Sequence, residues 1–190
     1  MESGNTSVIQ LILNAGADQN HPNAEGSTPL HWLVATQDRP DLVQLLVDFG
    51  AAINACDIYG DTALMIAVQH GRPRSARKLI ECGVNIDEVD EEGWTALNMA
   101  IFLNIHSCLD ILLEAQASCE HITGDGSILH FAAKYADLRT LQALLRHSTH
   151  VRFPVNDKRQ EYGLTALEIA KRRTATDEWH LTFLKPSQDE

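Results

Sequence analysis

Basic side chains are scarce in this chain: 15 Lys and Arg stand against 26 Asp and Glu, a net charge of −11 and a pI near 5.2. A general nucleic-acid binder needs a basic face to displace counterions from phosphate, so that class is excluded. Long hydrophobic runs are missing as well. None approaches the ~18 residues that would cross a bilayer, and residues 1–7 are polar with Glu2 their one charge, so no secretory leader is legible. Gly and Pro, 11 and 6 of 190 residues, are too few for a low-complexity linker. The four cysteines, Cys56, Cys82, Cys108 and Cys119, include no C-x-x-C pair and none near a zinc-finger His pair. They read as small, partly buried, reduced thiols, and with no leader they point to a cytoplasmic or nuclear protein. No G-x-x-x-x-G-K-[ST] loop and no G-x-S-x-G elbow occurs. Aromatic residues are only 6 % of the chain, so where each one falls is informative.

What is present is repetition. Thr28-Pro-Leu-His31, Thr62-Ala-Leu-Met65, Thr95-Ala-Leu-Asn98, Ser127-Ile-Leu-His130 and Thr165-Ala-Leu-Glu168 start 34, 33, 32 and 38 residues apart. Gly26, Gly60, Gly93 and Gly163 stand two residues before the Thr in four of these, and Gly124 and Gly126 displace the mark in the other. A second mark lies upstream: Gly16-Ala-Asp, Gly50-Ala-Ala and Gly83-Val-Asn, each after an apolar stretch of helical spacing such as Leu42-Val-Gln-Leu-Leu-Val47. Thr caps a helix by accepting from a first-turn N–H, and Pro29 suits the first helical position. Ala67, Ala100, Ala132 and Ala170 let neighbouring helices approach, and the Gly ends the second helix in a left-handed conformation. Each unit is a turn followed by two antiparallel helices.

The period and the Thr-Pro-Leu-His segment resemble the ankyrin repeat. The resemblance covers about residues 5–185 and implies an all-α solenoid with β-hairpin fingers. The units fall at 1–22 (a half-repeat or N-terminal cap), 23–56, 57–89, 90–122, 123–159 with a long finger, and 160–190, all in one domain. The chain opens on a lone second helix at residues 6–14, read as a piece of a longer protein or a degenerate cap with Ser3 to Ser7 as its polar face. Gln116 replaces the Gly at the third-to-fourth junction. Residues 148–163 form a longer, more basic finger, and Thr176 or Asp177 caps a closing helix that brings in Trp179, Phe183 and Leu184. The ending is also similar to the C-terminal ankyrin arrays of large filamentous-fungal proteins, many resembling NLR-type signalling ATPases.

Chemistry finds little purchase. The resemblance implies that His31 and His130 bond neighbouring backbone. His147-x-x-His150 lacks a third ligand, and His21, His70, His106, His121 and His180 are scattered. Glu91-Glu92 lies in a turn that cannot hold an acid–base pair in a fixed site. No enzyme activity, cofactor or metal site is expected.

The resemblance implies instead that a partner docks on finger tips and late first-helix positions. These are Ala24, Glu25, Ser27, Ala35 and Thr36; Ile58, Tyr59, Asp61, Gln69 and His70; Glu91, Glu92, Trp94, Phe102 and Leu103; Gly124, Asp125, Lys134 and Tyr135; Glu161, Tyr162, Leu164, Lys171 and Arg172. All three tyrosines and Trp94 fall there, and such residues are over-represented at binding hot spots. The alternative is that Trp94 lies flat and fills space. The expected site is a concave groove with an aromatic-apolar centre on repeats 2–4, flanked by acidic tips at Asp57, Asp61, Asp87, Glu88, Asp90, Glu91 and Glu92, with Lys134, Lys171, Arg172 and the long finger at its C-terminal end.

Residues 1–130 carry 5 basic and 18 acidic side chains, net −13, and residues 131–190 carry 10 and 8, net +2. The expected function is a protein–protein interaction module within a larger scaffold or sensor, or else a stand-alone inhibitor that masks an enzyme or a transcription factor. Its partner is a protein or peptide with basic and apolar anchor residues. Neither nucleic acid nor membrane is expected as a partner. The chain is expected to be monomeric, with self-association through the half-repeat as the other outcome.

Overall fold

The computed structural model describes residues 3–121, 123, 126–147 and 168–169. The chain divides into two compact units, Met1–Ser118 and Cys119–Glu190. The first holds α1 (Ser3–Asn14), α2 (Pro29–Thr36), α3 (Pro40–Asp48), α4 (Ala63–Gln69), α5 (Pro73–Glu81), α6 (Ala96–Phe102) and α7 (His106–Glu114). The described part of the second holds α8 (Ile128–Tyr135) and α9 (Leu138–His147). α1 begins at Ser3, earlier than expected, so Ser3 to Ser7 are the first turns of the helix and not a polar cap outside it.

Helices of seven to nine residues are too short to persist alone in water, so stacking must hold them. α2, α4 and α6 form an inner row, and α3, α5 and α7 an outer row; each helix packs on its neighbour in the row, and α4 on α5 and α6 on α7 across rows. Ala67 and Ala100 are fully buried in the inner row, where a larger side chain would hold the backbones apart. Leu30, Leu42, Leu64, Leu79, Leu97, Leu109 and Leu112 fill the space between the rows. In the second unit α8 packs on α9, and Asp137 Oδ1 accepts the Thr140 N–H at 2.8 Å in the first turn of α9.

The caps follow the repeat. Thr62 Oγ1 accepts from the Met65 N–H and Thr95 Oγ1 from the Asn98 N–H, both at 3.3 Å. The side chain at the motif's fourth position returns the contact: the N–H of Thr28 donates to His31 Nδ1 at 3.0 Å, and that of Thr95 to Asn98 Oδ1 at 3.0 Å. Because Nδ1 accepts, the His31 proton sits on Nε2, which reaches the carbonyls of Ala55 (3.0 Å), at the end of its own repeat, and of Asp61 (3.2 Å) in the next. Burial holds the His31 pKa below its ordinary value, which keeps the ring neutral for that role.

At the helix ends Gly16, Gly50 and Gly83 take φ of 92°, 86° and 85°, and Gln116, where the Gly is lost, keeps the left-handed form at φ 61°. α5 has no cap of its own. Asp38 of the preceding repeat supplies it, accepting from the N–H groups of Ser75 (2.7 Å) and Arg74 (3.3 Å). Arg39 clamps Asp41 at 2.9 and 2.7 Å and reaches Thr6 of α1 at 2.9 Å; this contact holds the Asp41 carboxyl down at about 2.

The fingers are tighter than β-hairpins with extended arms. Among the described residues the pairing is limited to isolated bridges, Cys56 with Thr62 and Thr123 with Gly126. Each of the first three fingers closes as a three-residue loop with a glycine bulge: the N–H groups of Asn23, Asp57 and Asp90 donate to Ser27, Asp61 and Trp94 carbonyls at 3.0–3.1 Å. The long finger 148–163, Ala170 and the closing helix expected after Thr176 lie outside the described residues.

Candidate functional site

The second and third fingers are built alike. Asp57 Oδ1 accepts the N–H groups of Tyr59 (2.9 Å) and Asp61 (3.1 Å). Asp90 Oδ1 accepts those of Glu92 (2.9 Å) and Trp94 (2.8 Å). Asn23 does the same in the first finger with Glu25 and Ser27. These side chains shape the loop from within. The fingers are then joined to each other: the Ile58 N–H donates to the Glu25 carbonyl at 3.0 Å, and the Glu91 N–H to the Tyr59 carbonyl at 3.1 Å.

A second line of stitches runs below the fingers. Asn20 bonds Gly50 and Ala52, Asn54 Oδ1 accepts from Asn85 N–H at 2.8 Å, and Asp87 Oδ1 accepts from Ser118 N–H at 2.7 Å. Three of the acidic residues expected at the tips thus have a structural role as well, while keeping their charge. Asp57, Asp87 and Asp90 each commit a carboxylate oxygen to backbone N–H groups. For the lower line the signal was available in the sequence, since residues 20, 54 and 87 each lie four positions after a helix-ending Gly.

Between the second and third fingers and the ends of α4 and α6 lies a cleft of about 470 Å³. Tyr59, Asp61, Glu91, Glu92, Trp94, Phe102 and Leu103 line it, with Gln69, Asp90 and Met99. Eight of the docking positions singled out from the sequence, Gln69 included, are thus brought together. Ile58 and His70 are exposed but are not among the lining, and the His70 ring bonds the Ile66 carbonyl at 3.0 Å. Lys134 and Tyr135 belong to the second unit. There Tyr135 packs on Phe131, ring centroids 4.8 Å apart, and the Lys134 ammonium stands 4.8 Å from the Tyr135 ring. Gly124, Asp125, Glu161, Tyr162, Leu164, Lys171 and Arg172 lie outside the described residues.

Trp94 neither projects freely nor lies flat. It is half-buried, with its ring edge-on to Phe102 at 5.2 Å and 62°. Tyr59 is 58 % exposed on the opposite finger. The described lining carries four carboxyl groups and no Lys or Arg. Asp61 feels this most. Burial first, then the charges of Asp57, Asp90 and Glu92, push its carboxyl up to about 6. Its Oδ1 is buried without a hydrogen-bond partner.

A raised carboxyl pKa means that folding takes up a proton between pH 3.8 and about 6. Stability owed to Asp61 is present below 3.8 and lost as pH rises through about 6. Asp61→Asn removes that loss. The variant should match the wild type below pH 3.8 and exceed it by about 1–2 kcal/mol at neutral pH, a gain held down because solvent enters the cleft and screens its charges. Urea unfolding at a series of pH values checks this, and equal stability at pH 7 contradicts it.

Other chemistry is quiet. Burial holds the thiols of Cys56, Cys82 and Cys108 above their ordinary value, Cys108 at about 11, so none is poised as a nucleophile. Among the described residues no three His, Cys, Asp or Glu side chains gather as a metal-holding group, and no helix is long and apolar enough to cross a membrane.

One surface was not anticipated. Trp32 on α2 is 64 % exposed, beside a hollow of about 360 Å³ that Ile9, Ile12, Leu13, Leu33 and Leu42 help to line. One position after the motif's fourth residue, the same place is filled by Ile66 and Met99, which are buried because a preceding inner helix packs on each of them. Among the described residues no inner helix precedes α1, so Trp32 has no such neighbour.

The model for "Ankyrin repeats (3 copies)" matches residues 1–90 and 54–125. The chain belongs to the ankyrin-repeat family. The repeat is also recognised in relatives. The B-cell lymphoma 3 protein homolog of Mus musculus is 33 % identical over 151 residues, 76 % of this chain and 33 % of that protein. Inversin of Canis lupus familiaris is 30 % identical over 148 residues, 76 % of this chain and 14 % of that protein. Glycerophosphocholine phosphodiesterase gde1 of Schizosaccharomyces pombe is 34 % identical over 95 residues, 50 % of this chain and 8 % of that protein. The chain thus spans a third or less of these curated relatives. Among solved structures, the ankyrin repeat domain of Bcl-3, described as a unique member of the IkappaB protein family, superposes with a TM-score of 0.76 at 29 % identity. It covers 90 % of this chain and 75 % of its own. An ankyrin-repeat solenoid is a scaffold for protein interaction, and this chain is consistent with that role.

Proposed function

We propose that this ankyrin-repeat chain is the recognition or scaffold part of a larger protein, with no enzyme activity of its own, and that it binds a protein or peptide in the cleft between its second and third fingers. The observation that carries this reading is the meeting of Tyr59, Trp94, Phe102 and Leu103 with four carboxyl groups in one concave place. Aromatic walls supply contact area at low entropic cost, and an acidic rim steers a basic segment and sets its orientation. The partner therefore carries basic residues beside an apolar anchor. The chain spans a third or less of the curated relatives' length, which supports the module over the stand-alone inhibitor. The proposed compartment is cytoplasm or nucleus.

Affinity capture from the native extract, read by mass spectrometry, tests the site. The wild type should retain a partner that the Tyr59→Ala/Trp94→Ala variant loses, with circular dichroism showing both folded. Undiminished capture by the double variant removes the cleft from consideration. The chain itself is proposed to be monomeric. Light scattering should give one 21.1 kDa species across a concentration series, whereas mass that grows with concentration and reverts on Trp32→Ser would assign self-association to the α1–α2 face.

A further inference from the structure

Either basic side chain could answer the acidic cleft, and the lining chemistry chooses between them. Negative charge is in excess there, and among the described residues that line the cleft no cation answers it. Asp61 holds one carboxylate oxygen out of water with no donor. Leaving such an oxygen unpaired costs free energy that an incoming donor would recover. Aromatic rings line the same cleft as Asp61: Tyr59 on one finger, Trp94 on the other, and Phe102 edge-on to Trp94. Glu91 and Glu92 are exposed at the rim, where they attract a cation before contact.

We infer that the cleft is a receptor for an arginine side chain of the partner, its guanidinium lying against Tyr59 and Trp94 and pairing with the Asp61 carboxylate. This rests on the cleft being the partner site. Guanidinium suits the lining better than ammonium. It is weakly hydrated, stacks on aromatic faces and offers parallel N–H donors to a carboxylate, whereas ammonium is a compact, strongly hydrated charge that loses more on leaving water. Burial is the main cause of the raised Asp61 pKa, and the charges of Asp57, Asp90 and Glu92 add to it; a guanidinium would offset that second part.

The test uses the whole chain and three small probes: the acetylated N-methylamides of arginine, of lysine, and of citrulline, which matches arginine in shape but has no charge. Nuclear magnetic resonance follows the Trp94 indole and the Tyr59 amide. Arginine should shift both in a saturable way at millimolar concentration, lysine more weakly, and citrulline not at all. Asp61→Asn should weaken the arginine response at least tenfold while remaining folded. Equal responses to arginine and citrulline, equal responses to arginine and lysine, no response to arginine, or an unchanged response in Asp61→Asn each overturns the inference. If a captured partner depends on Tyr59 and Trp94 yet tolerates loss of its arginines, the arginine assignment fails while the cleft survives as the docking site.

Discussion

Gly60→Ala will destabilise the protein by about 2–5 kcal/mol, about twice as much as the same change at Gly83. Gly60 sits at φ 80°, a left-handed conformation that costs other residues about 1–2 kcal/mol. It also has no room. A Cβ there would stand 2.7 Å from the Glu91 nitrogen and 2.9 Å from Asp90 Cα, both backbone atoms of the next finger. Forcing them apart strains the Glu91-to-Tyr59 hydrogen bond that joins the fingers and adds about 1–3 kcal/mol. Gly83 has a similar φ of 85° but nothing within 4 Å of its Cβ position, so only the conformational cost of about 1–2 kcal/mol applies. Urea unfolding of both variants separates the two contributions. Equal losses would mean that the fingers are not held as closely as described.

The second large effect is on binding. Tyr59→Ala and Trp94→Ala should each weaken partner affinity roughly 30-fold, the equivalent of about 2 kcal/mol at a hot spot. Ile58→Ala is the control. Ile58 is 51 % exposed and adjacent to Tyr59, but it is not part of the cleft lining, so its loss should change affinity less than about threefold. Trp94→Ala also removes a ring from Phe102, so its melting temperature must be measured beside its affinity. A loss of binding spread equally over all three variants would argue for a diffuse surface in place of a cleft.

Much of the fold was legible because its determinants are local. Thr at the cap, Gly or a substitute at the left-handed end and Leu at helical spacing are written within a few residues of the structure they form. The His31 contact was legible too, through the family resemblance, although its reach into the next finger spans 24 to 30 positions. What the sequence did not show was the second use of some side chains. Asp57, Asp87 and Asp90 count as surface acids in any tally of charge, and one oxygen of each also accepts from backbone N–H groups. Trp32 escaped notice for another reason. Its place in the repeat is a buried one in α4 and α6, and it lies at the surface because no inner helix stands ahead of α1 among the described residues. The cleft was legible as a list of positions but not as a shape. Residues 59 and 94 become opposite walls only once the Glu91 N–H bonds the Tyr59 carbonyl.

Asp61 ties stability to recognition. Asp61→Asn is expected to strengthen the fold at neutral pH while it weakens arginine capture, the signature of a residue retained for binding at a cost in stability.

Everything proposed for this chain depends on the partner sitting between the second and third fingers. Hydrogen exchange, read by mass spectrometry on the free chain and on the captured complex, examines that placement without any substitution. Protection on binding should concentrate at residues 57–61, 90–94 and 99–103. Protection confined to the outer helices α3, α5 and α7, with those segments unchanged, would place the partner elsewhere and refute the cleft as its site.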